Sequence, residues 1–369
     1  MKIPQLTFTR FLAAIAIVFF HDEGNAYPLG TPFIRNWISF SNVFVSYFFV
    51  LSGFILVVSS VKDDRLAIGK KAFWFNRFAR IYPLYFFALA MYLGLCLMAN
   101  TPNTKLTFDQ LILTTTLLQA WIPKYVMAYN YVSWTLSIEA LFYLIFPFLI
   151  LAMARMRLSV ALWIGIAIWV ISLLIYIYVV DQAYPKLFTD YFPLLHVNSF
   201  IGGVVAGQFF IKYKPTFVRN RNLILMVFLV LSAIVLGGIS FHNHFIRQYY
   251  HNGLFAPLFL SLILYLSSLE EGVLKRMLSH PVLQYLGEIS YGIYILQLAV
   301  SILVTGLNNR FFHLSHTTTF YLYVLVLIAF CALCHEFIEK PCRVYLKSVF
   351  SKLQMTRQPA YVSTKTTAE

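Results

Sequence analysis

Apolar stretches of membrane-crossing length recur from one end of this chain to the other, and that recurrence leaves few folds open. A helix needs roughly 17–25 predominantly apolar residues to cross the ~30 Å hydrocarbon core. Such stretches lie near 7–22, 40–60, 82–100, 137–153, 159–180, 191–211, 222–241, 254–269, 287–307 and 319–338. In lipid every backbone N–H and C=O has to be satisfied within the protein, which restricts spanning elements to helices and closed barrels. Only 11% of the 369 residues are charged and 60% are hydrophobic, whereas soluble chains carry about 25% charge. The expected fold is all-α: a polytopic transmembrane helix bundle of about ten spans. The apolar segment from Leu111 to Ile122 is too short to cross and is expected to be interfacial or re-entrant.

Charge gives an independent reading of the same count. All but six of the 28 lysines and arginines fall in alternate segments that share one side of the membrane. The six are Arg35, Lys105, Lys124, Lys186, Arg247 and Arg310. Under the positive-inside rule this asymmetry places both termini in the cytoplasm. The net charge of +14 is thus a matter of topology. Spread over many short loops, it forms no basic face for nucleic acid. Residues 1–345 are expected to be the membrane-embedded domain and 346–369 a polar, disordered cytoplasmic tail. The amino end has a basic start and an apolar run, yet no A-x-A-like site follows His21, so the first span is expected to be retained. Cys331 and Cys334 have redox-motif spacing, but in an apolar helix they read as packing. No second Cys/His pair accompanies them, and no metal site is expected.

Within this apolar frame a few polar residues stand out. Arg10 and His21 bracket ten apolar residues, and eleven steps of ~100° return to nearly the same helix face, ~16 Å along the axis. One end of that stripe suits an anion and the other suits proton chemistry. The pair equally fits an interfacial arginine that snorkels and a histidine that ends the helix. Ser52 and Gly53 interrupt Phe48–Leu56, where small residues serve either close helix contact or substrate space. Arg77 and Arg80 share a helix face at the cytoplasmic end of the next span. They fit a bidentate phosphate clamp, or lipid headgroups and topology. Glu139 is a carboxylate near the start of a span, expensive there without a cavity or cationic partner. Ser133 and Ser137, four residues apart, could complete a hydrogen-bonding site with it, whereas Trp134 and Tyr143 also suit an aromatic belt.

The late chain adds Gly287-Glu288-Ile289-Ser290-Tyr291-Gly292-Ile293-Tyr294-Ile295-Leu296-Gln297 and Phe337-Ile338-Glu339-Lys340-Pro341. Together these residues resemble the acyltransferase-3 family of integral-membrane O-acyltransferases. Arg10 and His21 match the family's Arg, ten residues, His pattern; Phe48–Phe54 match FFVLSGF; Arg77–Pro83 match R-x-x-R-I-x-P. Trp134–Tyr143 match W-S-L-x-x-E-x-x-F-Y, with Thr135 in place of Ser. The resemblance covers nearly the whole chain. One departure matters: where the late family motif usually closes with His, this chain has Gln297, which cannot gain a proton near neutral pH.

The resemblance implies transfer of an acetyl or other short acyl group from cytoplasmic acyl-CoA, a donor substrate rather than a bound cofactor. The acceptor would be a hydroxyl of a secreted or envelope polysaccharide or its lipid-linked precursor, and the location the bacterial inner membrane. It implies catalytic roles for His21, as base or acyl carrier, and for Arg10 and Glu139, with Glu139 orienting His21 or binding sugar. Donor binding would fall to Arg77 and Arg80, and substrate binding to Ser133, Trp134, Ser137, Tyr291 and Gln297. Transfer to a sugar hydroxyl needs a base near the hydroxyl and positive or dipolar groups near the developing oxyanion. A stand-alone form is expected, without a C-terminal hydrolase-like domain. A glycan transporter or flippase would also show ten spans and buried charges, but the halves lack the internal repeat it predicts.

Overall fold

The computed structural model describes residues 3–98, 107–241 and 243–355. Ten helices follow the apolar stretches in order: α1 (Gln5–His21), α2 (Phe44–Ser60), α3 (Lys70–Met98), α4 (Trp134–Met153), α5 (Leu158–Asp181), α6 (Val197–Arg219), α7 (Arg221–Ser240), α8 (Ala256–Ser267), α9 (Pro281–Leu307) and α10 (His316–Cys334). Eight of the described helical segments are long and apolar enough to cross a membrane. The exceptions are α1 and α8, with 17 and 12 residues. In α8 the Ser267 and Ser268 hydroxyls turn back to the carbonyls of Ile263 and Leu264, using local hydrogen bonds where the helix ends. Two short strands, β1 (Val61–Lys62) and β2 (Arg65–Leu66), form a hairpin between α2 and α3. The polypeptide runs up and down, so His21, Asn308 and His316 share one end of the bundle, and Arg10, Arg77 and Arg80 lie toward the other.

Packing is graded from centre to rim. The α1 helix lies against α2 and α9, α2 against α6, and α9 against α3 and α10. Helices α5 and α7 expose most of their side chains, as expected for helices surrounded by acyl chains. One buried cluster joins α1, α2, α3, α4, α6, α9 and α10; a second joins α1, α2, α6 and α8.

The α2–α6 contact explains Gly53. A Cβ on Gly53 would sit 2.2 Å from the Phe200 carbonyl oxygen, and one on Gly203 only 2.0 Å from that of Val50. The two backbones touch, which small residues alone permit. Replacing Gly203 by Leu should therefore force the helices apart. Because overpacking costs roughly 1–3 kcal/mol or more, the variant should accumulate poorly and lose thermal stability in detergent. Wild-type melting would mean that α2 and α6 do not meet in this register.

The segment from Leu111 to Ile122 does not cross. Helix Phe108–Thr115 and the turn Gln119–Trp121 are tied down by Tyr85, which donates to the Thr114 carbonyl at 2.6 Å, and Tyr82, which donates to that of Thr115 at 2.5 Å. Buried Gln119 donates to the Ser133 carbonyl at 3.1 Å. These hydrogen bonds fasten the irregular backbone of the segment to α3 and to the start of α4.

The expected disordered tail needs correction. Residues 346–355 belong to a further helix, α11 (Lys340–Met355), which packs on α3 through Phe350 stacked on Phe75, centroids 4.3 Å apart. The stretch reads as polar because only one face of the helix meets the bundle. Residues 356–369 lie outside the described part.

Candidate active site

Two groups of polar side chains face cavities along α1 and α9. Toward the amino end of α1, Arg10 shares a cavity of about 100 Å³ with Ser52, Arg77, Arg80, Glu139, Tyr143 and Tyr291. Three guanidiniums from two helices surround one carboxylate from a third. Tyr143, one turn along α4, donates to Glu139 Oε2 at 3.1 Å. Tyr291 donates to the Ile81 carbonyl at 2.9 Å, fixing α9 to the helix that carries the arginine pair. A smaller space beyond, lined by Phe48, Thr135, Glu139, Tyr291 and Tyr294, continues along α9 toward the other end.

At that end His21 opens on a polar cavity of about 370 Å³ with Asp22, Tyr131, Gln297, Ser301 and His316 among its walls. Gln297 decides the state of the ring. Its Nε2 donates to the Tyr294 carbonyl at 2.7 Å, so its Oε1 is left to accept from His21 Nδ1, also at 2.7 Å. In the neutral imidazole the proton then sits on Nδ1, and Nε2 keeps its lone pair. Tyr131 meets the ring edge-on at 4.9 Å and limits its swing. His21 is thus held in the tautomer that a general base requires. Asp22 Oδ1 lies 3.0 Å from His316 Nε2, and its Oδ2 accepts from the backbone of Asn25 and Ala26. Asp22 shapes the cavity rim and leaves the orientation of His21 to Gln297.

The structure brings Arg10, Arg77, Arg80, Glu139 and Tyr291 to one cavity and His21 and Gln297 to the other. Two expectations change, and Gln297 gains a contact. Glu139 does not orient His21; it belongs to the arginine cavity. Gln297 holds the imidazole and lines the same cavity as His21. Ser133, Trp134 and Ser137 face protein instead of these cavities: the Ser133 hydroxyl donates to the Asn130 carbonyl at 2.7 Å, and Trp134 packs on Phe49, Tyr191 and His196. Ser137 Oγ is buried without a hydrogen-bond partner among the described residues. The reason is angular, since Glu139 follows Ser137 by two residues, ~200° around a helix, and so looks the other way. Beyond Gln297, sequence reasoning missed the rest of this cavity wall, although Ser301, Thr305 and Asn308 follow Gln297 at helical spacing and form a readable polar stripe.

Residues 3–335 match the model of the family described as an acyltransferase domain. The chain belongs to the acyltransferase-3 family. Among relatives of this acyltransferase-3 chain, Acyltransferase MdmB of Streptomyces mycarofaciens is 33% identical over 40% of it and 39% of that protein. A Staphylococcus aureus (strain COL) protein named among the O-acetyltransferases is 24% identical over 92% of this chain and 57% of its own length. Exopolysaccharide production protein ExoZ of Rhizobium meliloti (strain 1021) is 28% identical over 68% and 74%. The chain thus spans about 39% and 57% of the first two relatives. No solved structure matches it.

Proposed function

We propose that this protein is a membrane O-acyltransferase that takes a short acyl group, acetyl first of all, from acyl-CoA at the arginine end. The acceptor is a carbohydrate hydroxyl at the His21 end, on a secreted or envelope polysaccharide or its lipid-linked precursor. The observation that carries this reading is the His21 ring, pinned through Nδ1 by Gln297 with Nε2 free beside a polar cavity, on the same helix as Arg10. Relatives named as an O-acetyltransferase and an exopolysaccharide production protein support the acceptor class.

The residues give the chemistry a route. Arg77 and Arg80 bind the donor's phosphates, and Arg10 guides the pantetheine arm along the stripe it shares with His21. His21 Nε2 removes the proton as the sugar oxygen attacks the thioester carbonyl; the tetrahedral intermediate then collapses and CoA thiolate leaves. The charge asymmetry supports an orientation with the arginine end and both termini in the cytoplasm of a bacterium and the His21 cavity on the outer side of its inner membrane.

One experiment tests donor and orientation together. Acetyl-CoA bears phosphates and does not cross a bilayer unaided. Labelled acetyl-CoA offered to inverted vesicles should acylate carbohydrate, whereas the same donor outside right-side-out vesicles should not. Equal transfer in both would overturn the orientation, and transfer in neither would remove acetyl-CoA as donor.

A further inference from the structure

The donor reading above accounts for Arg77 and Arg80 but leaves unexplained why the chain after α10 folds back onto them. On α11, Arg343, Lys347 and Phe350 recur at helical spacing and share a stripe. Phe350 stacks on Phe75 at 4.3 Å with planes 11° apart, which seats that stripe against α3 two residues before Arg77. Partial desolvation, and then the positive charges of Arg343, Arg77 and Arg80, lower the pKa of the Lys347 ammonium. Four cations from two helices therefore lie within electrostatic range of Lys347's position on this seam. None of them forms an ion pair with a carboxylate among the described residues. The acid facing the group is Glu139, on the Arg10 side of the cavity. Among the described residues Arg77 Nε is buried without a hydrogen-bond partner, while its guanidinium lies over the rings of Phe73 and Tyr143 at 5.6 and 6.0 Å. Like charges packed in this way repel unless an anion joins them.

We propose that Arg343 and Lys347 form a second phosphate site beside Arg77 and Arg80, fitted to the ribose 3′-phosphate of the CoA thioester. The assignment follows the order of groups along the donor. The diphosphate is nearer the thioester and takes the deeper pair, which lines the Arg10 cavity. The 3′-phosphate sits at the nucleoside end and takes the pair on α11, outside that cavity. A guanidinium and an ammonium one helical turn apart, with Cβ atoms about 5–6 Å from each other, can converge on one phosphate. The α11 helix is then the element by which the protein distinguishes CoA thioesters from shorter donors.

This inference rests on acyl-CoA being the donor, so the test compares acetyl-CoA with acetyl-3′-dephospho-CoA on the full chain in lipid nanodiscs. Wild type should prefer acetyl-CoA by tenfold or more in kcat/KM. The double variant Arg343→Gln/Lys347→Gln should lose that preference through a higher KM for acetyl-CoA, with its kinetics on the dephospho donor unchanged. Adenosine 3′,5′-bisphosphate should compete with the donor in wild type and about tenfold less well in the variant, a direct reading of the site that does not need turnover. A variant that keeps full preference for acetyl-CoA overturns the proposal while leaving the donor reading intact. So does an equal loss with both donors seen only in anionic lipid, which would assign the pair to lipid headgroups. Wild type inert with both donors defeats the donor reading and this inference together.

Discussion

His21→Ala is expected to insert and accumulate normally yet lose roughly 10²–10⁴-fold in transfer rate, the usual loss when a general base is removed. The ring sits at the end of α1 and lines an open cavity, so truncation removes little packing. The carbonyl of Gln297, left without its imidazole partner, still faces a cavity that can admit water. Incubation with labelled acetyl-CoA and no acceptor separates two mechanisms. Direct attack leaves the protein unlabelled, while an acyl-imidazole intermediate gives transient label that His21→Ala abolishes. Wild-type rates in a normally expressed His21→Ala variant would remove His21 from the chemistry altogether.

Glu139→Ala should act on stability as well as on activity. Arg10, Arg77 and Arg80 line one cavity with this carboxylate, and its removal leaves cations facing one another without an intervening negative charge. No contact ion pair joins Glu139 to these arginines among the described residues, so what is lost is a nearby compensating charge, and the cost falls on the balance of charge in the cavity. The variant is expected to show a lower thermal midpoint in detergent together with loss of transfer. Glu139→Gln, which can still accept from Tyr143, should fall between the two. A Glu139→Ala protein that melts and turns over like wild type would show that the arginines do not depend on it.

The membrane makes much of this fold legible in the sequence, because hydrocarbon forces each span to be a run of apolar residues that satisfies its own backbone. The ten helices follow those runs, and Arg10, Arg77 and Arg80 are conspicuous as charges where charge is expensive. Partnership is harder to read. Nothing local says that Gln297, 276 positions from His21, holds the imidazole, since that contact exists only once α9 packs on α1. Ser133 misleads because the turn Tyr131–Ser133 places it ahead of the helix, where its hydroxyl serves Asn130. The α11 helix escapes a hydropathy reading because polar residues outnumber the few apolar ones, Leu346, Val349 and Phe350 among them, that form its part-buried face.

Pro147 lacks an N–H and so cannot serve the Tyr143 carbonyl one turn before it. The indole of Trp74 on α3 takes that oxygen instead, at 2.9 Å. Sliding α3 past α4 by a single residue would strand a carbonyl in hydrocarbon, at several kcal/mol. The relative height of Arg77 and Glu139 is therefore indexed, like a gear held by a pawl, and intermediate settings are closed to it. A proline on one helix and an indole on its neighbour give this bundle the kind of fixed fastening that secreted domains obtain from a covalent cross-link.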